Sequence, residues 1–61
     1  MNTYEIRIVR QSDQAQLVVT VSVMGDHAAI RRARTLAGEG DLLEVWRGMR
    51  CVFSTFRESV H

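Results

Sequence analysis

The chain has no proline and no lysine, a single cysteine and a single tryptophan among 61 residues. The lack of proline means that no helix or strand is forced to break. With Cys51 alone, an intrachain disulfide is excluded. The other soft metal ligands are His27 and His61, too few for a tetrahedral zinc site, so no metal is expected. No apolar run approaches the roughly 18 residues of a membrane-spanning helix. The first residues, Met-Asn-Thr-Tyr-Glu-Ile-Arg, lack the basic and apolar regions of a signal peptide. A soluble, cytoplasmic protein is expected, and a lone thiol fits a reducing compartment. Net charge is +1, too small to point to nucleic acid by itself. All eight basic residues are arginine, which codon bias in a GC-rich bacterial genome explains.

A chain this short buries only about 60% of the surface that its unfolded form exposes. Disulfides, metals and self-association are the usual compensations, and self-association is the one left open here. The apolar fraction of 46% argues against disorder and for a single folded domain over residues 1–61.

The hydrophobic period organises that domain. Tyr4, Ile6 and Ile8 alternate with Glu5 and Arg7, which predicts a strand over residues 3–10. The polar run Gln11-Ser12-Asp13-Gln14 turns the chain into a second strand over 16–24. There Leu17, Val19, Val21 and Val23 alternate with Val18, Thr20 and Ser22. Asp26 is placed to cap a helix over 27–37, whose apolar stripe is Ala29, Ile30, Ala33, Leu36 and Ala37. Gly38 suits the left-handed position after its end. Alternation returns in strands over 42–47 and 50–56, joined through Gly48-Met49 as a type II′ hairpin. That turn pairs Trp46 with Cys51, Val45 with Val52 and Glu44 with Phe53. The expected fold is α+β, a two-layer ββαββ sandwich. Its four-stranded, mainly antiparallel sheet has one helix on one face.

One helix leaves one sheet face open. Val9, Val18, Thr20, Leu42, Trp46, Cys51 and Phe53 are assigned there, mixed with Glu5, Arg7 and Glu44. A solvated face should be mostly polar, and this one is not. Trp46, Phe53, Leu42 and Val18, rimmed by charge, therefore form a candidate protein interface. Cover by the chain's own tail, with Phe56 and Val60, is the ordinary alternative.

The pattern Asp26-x-x-Ala29-Ile30-x-x-Ala33-Arg34-x-Leu36-Ala37 precedes a Gly-containing link. Leu43-Glu44-Val45-Trp46-Arg47-Gly48-x-Arg50-x-Val52 follows it. Together they resemble a set of short bacterial hypothetical proteins with an Ala-rich helix and a Glu-x-Trp-x-Gly-x-Arg hairpin. The resemblance covers residues 26–53 through these motifs and residues 1–24 through strand pattern. It implies a ββαββ fold and no particular activity. Met24-Gly25 and one Asp stand where the family tends to have an acidic run.

No set of residues reads as catalytic. Cys51 and His27 are assigned to opposite sides of the sheet, so a nucleophile–base pair is not expected. Glu39 and Asp41 sit in a Gly-rich link, where Asp41 can bond backbone. Gly38-Glu39-Gly40 follows a helix, whereas phosphate loops precede one. Arg31, Arg32 and Arg34 form a basic patch near His27, with no aromatic among them. A solvated helix face is the ordinary reading of such a patch. The expected function is a non-catalytic protein that forms a homodimer through the open face around Trp46. The alternative is nucleic-acid binding through Arg31, Arg32 and Arg34 or through the aromatic sheet face. No cofactor, small-molecule ligand or membrane partner is expected.

Overall fold

The computed structural model describes residues 1–56. Along the chain these form β1 (Asn2–Val9), β2 (Gln16–Val23), α1 (Asp26–Leu36), β3 (Leu42–Arg47) and β4 (Arg50–Ser54). The four strands make one sheet in the order β2-β1-β3-β4, and every neighbouring pair is antiparallel. Two hairpins are thus joined along β1 and β3, and the ββαββ reading holds. β1 is central, so both its edges are paired and its inward residues Tyr4, Ile6 and Ile8 are buried. The same cluster holds Val23, Leu43 and Val45 from the sheet and Ala29 and Ala33 from the helix. The two alanines are fully buried, and their small side chains let the helix backbone approach the sheet closely.

The helix is narrower than the sheet. Eleven residues make about 16 Å of helix, whereas four strands about 4.8 Å apart spread wider than one helix diameter. Leu36, expected in the helix stripe, is therefore 43% exposed, and Leu17, expected beneath the helix, is 49% exposed. The core falls short at the β2 side.

Three local expectations are corrected. Gly25, with extended backbone, is the N-cap, and Asp26 is the first helical residue with no side-chain cap bond. Its carboxylate instead accepts the hydroxyl of buried Tyr4. A buried phenol needs a polar partner, and that need outweighs the local capping rule. The bond to Asp26, with burial and the nearby negative charge, raises the Tyr4 pKa above its ordinary value. Secondly, the left-handed glycine after the helix is Gly40 (φ +85°), because Ala37 already leaves the helix in extended conformation. A Cβ on Gly40 would also collide with the Gln11 side chain. Thirdly, β4 carries an extra residue: Trp46 pairs with Cys51 as expected, but Val45 pairs with Phe53 and Glu44 with Ser54. Val52 is the bulged residue, and everything beyond it on β4 changes face.

Asp41 fastens the loops at one end. Its carboxylate accepts the backbone N–H of Gln11 at 3.1 Å and of Gly38 at 2.9 Å. These bonds hold its pKa below the ordinary value, with Arg10 adding to the effect. Its stabilising contribution is therefore present at neutral pH and is lost as pH falls through the depressed folded-state pKa.

A core this small has little reserve. Ile6→Ala is expected to cost about 2–5 kcal/mol, comparable to the roughly 3–5 kcal/mol that a core of this size supplies. Urea titration followed by circular dichroism should find this variant largely unfolded in buffer.

Candidate interaction surfaces

The sheet separates Cys51 from His27. His27 lies in the first turn of α1 on the helix side, and Cys51 lies exposed on the helix-free side opposite Trp46. The Cys51 thiol donates to the Phe53 carbonyl at 3.4 Å. Asp41 is occupied by the two backbone amides, so it does not work with Glu39. Among the described residues, no three His, Cys, Asp or Glu side chains converge as metal ligands. Among the same residues, no helix is long and apolar enough to cross a membrane.

On the helix-free face, β-sheet register places Trp46 opposite Glu5 and places Arg7 opposite both Val18 and Glu44. These side chains bind one another. The Arg7 guanidinium lies 4.8 Å from the centre of the Trp46 ring, a cation–π distance. Its Nε donates to Glu5, and the Trp46 indole N–H donates to Glu44 at 3.0 Å. Trp46 is consequently half-buried within its own chain, its polar atom satisfied and one ring face occupied. Exposed apolar surface remains at the margins of this network, with Val18 at 58% and Leu42 at 38%. Of the four candidate interface residues, Trp46, Leu42 and Val18 are found on this face. The fourth, Phe53, is carried to the helix side by the bulge in β4.

That shift creates a second surface. Phe53 now lines a shallow cleft of about 430 Å³ with His27, Ile30, Arg31 and Arg34. The Arg34 guanidinium stands 5.2 Å from the Phe53 ring centre. Of the expected basic patch, Arg31 and Arg34 border the cleft and Arg32 does not. An aromatic does stand among the arginines, contrary to the sequence reading, and it comes from a distant strand.

The third surface was not legible in advance, because it depends on strand order. β2 is an edge of the sheet and runs eight residues, Gln-Leu-Val-Val-Thr-Val-Ser-Val. It has no charged residue, no proline and an unbroken register with β1. Natural edges are ordinarily protected by such devices. The opposite edge, β4, has them: five residues, Arg50 and a bulge. Beside β2, Leu17 and Leu36 line a small hollow of about 130 Å³.

No family model matches the chain, and no match is found among curated proteins or solved structures.

The internal network on the helix-free face has a direct readout, since Trp46 is the only tryptophan. Arg7→Ala should uncover the indole and move tryptophan emission to longer wavelength while circular dichroism stays unchanged. An unmoved emission maximum would mean that Arg7 does not shield the ring.

Proposed function

We propose that this chain is a small, non-catalytic, cytoplasmic protein that acts by self-association as a homodimer. The observation that carries the reading is the imbalance between its core and its exposed apolar surface. Among the described residues eight are buried, two of them alanine, a core that ordinarily needs a further staple. Meanwhile Leu17 and Val18 stand exposed on neighbouring positions of β2, on opposite faces of the sheet. Symmetric dimers are the commonest solution for such a surface. The helix-free face contributes through Val18 and Leu42, while Trp46 is engaged by Arg7 and Glu44 and is a secondary anchor. Sedimentation equilibrium or light scattering tests this. The wild type should be dimeric, Val18→Glu should be a folded monomer, and Trp46→Glu should weaken the dimer less than Val18→Glu. A wild type that stays monomeric at high micromolar concentration contradicts the reading.

A second reading, binding of single-stranded nucleic acid, is favoured by one observation: Arg34 stacked on Phe53 with Arg31 alongside. Stacking platforms flanked by cations are how such strands are held without sequence readout. This reading predicts a mobility shift with mixed oligonucleotides at about 50 mM salt that Phe53→Ala and Arg34→Ala each abolish. Absence of a shift at that salt removes it.

A further inference from the structure

We infer that the homodimer forms edge to edge, with β2 of one copy pairing antiparallel to β2 of a second copy so that one eight-stranded sheet runs through both. The inference rests on the self-association reading and assigns its geometry. Along an edge strand, alternate residues direct their N–H and C=O groups away from the neighbouring strand. Those of β2 face outward on the side away from β1. A partner strand satisfies them without any new side-chain chemistry.

The charge pattern selects a second copy as that partner. Antiparallel pairing of a strand with itself brings side chains near the axis beside their own symmetry mates, so a charge in the middle of the strand would meet its like. Over Gln16–Val23 there is none to meet. The other edge, β4, is shorter, carries Arg50 and is distorted by a bulge.

Face assignment also agrees. The two-fold axis of such a pair is normal to the sheet, so both helices lie on the same side. Directly opposed residues must then share a face, which restricts the axis to pass at a residue rather than between residues. With the axis at Val19 or Thr20, Leu17, Val19 and Val21 of one copy meet the same row of the other on the helix side. Leu17, at one end of that row, is the part which the eleven-residue helix leaves exposed, while Val19 and Val21 are half-buried. Extension of the row by a second copy also buries the corner formed by Leu17 and Leu36. On the other side Val18 and Thr20 meet their counterparts, joining the two open faces into one.

Thr20 is exposed and near the middle of the strand, opposite Glu5 of β1, so a charge there opposes itself across the axis and faces a carboxylate within its own chain. Thr20→Glu and Thr20→Lys, each alone, should weaken association at least about tenfold, and their equimolar mixture should return to within about threefold of wild type as a heterodimer. Circular dichroism checks that each variant folds, and if either does not, the same pair in a Glu5→Gln background, which removes the charge opposite Thr20 on β1, takes its place. A dimeric wild type whose charged variants associate as tightly as it does overturns edge pairing and leaves self-association standing. A wild type that is monomeric at high micromolar concentration overturns both.

Discussion

The packing of Ala29 and Ala33 into a cluster with Ile6 and Val45 is the constraint on which the rest of the molecule depends. All four are fully buried, and they join the helix to the two central strands. Alanine permits a close approach but contributes little apolar area of its own, so the energy comes from the sheet residues that it covers. Once the helix is seated there, its width decides everything at the margins. Tyr4 comes to lie under the helix start and takes Asp26 as its partner. Phe53 is left beside the helix with Arg34 over it, and Leu17 at the start of β2 is left exposed.

Much of this was legible in the residues. Period-two alternation marked all four strands, and the shift to helical spacing after Asp26 marked the helix. The Gly48-Met49 turn behaves as its chemistry requires, with Gly48 at φ +62° and Met49 outside the positive region. What could not be read has physical reasons. Two hairpins can join through either partner strand, so the order that makes β2 an edge is a tertiary choice. The bulge at Val52 involves no glycine or other local signal, and one extra residue was enough to move Phe53 across the sheet. Asp26 satisfied the capping rule in sequence, yet a buried hydroxyl twenty-two positions away outcompeted the free amides of the first turn.

The candidate surfaces show the same division. Alternation correctly assigned Val18, Leu42 and Trp46 to the helix-free face. It carried no information on how Glu5, Arg7 and Glu44 would arrange themselves, and their mutual bonds change what Trp46 can offer. An indole bound by a guanidinium and a carboxylate has lower residual affinity for a partner than its area suggests, because those contacts must be kept or replaced. The weight of exposed apolar surface moves accordingly from the centre of the face to the β2 side. The absence of charge in that strand, unremarkable when it is read as core, becomes informative once it is known to be an edge.

Edge pairing requires β2 to be paired in the assembled protein and open in the isolated chain. Amide hydrogen exchange measured at low and high protein concentration tests that most directly. Self-pairing predicts that alternate β2 amides between Gln16 and Val23 gain protection as concentration rises, while those of β4 do not change. Exchange along β2 that is the same at both concentrations would contradict it.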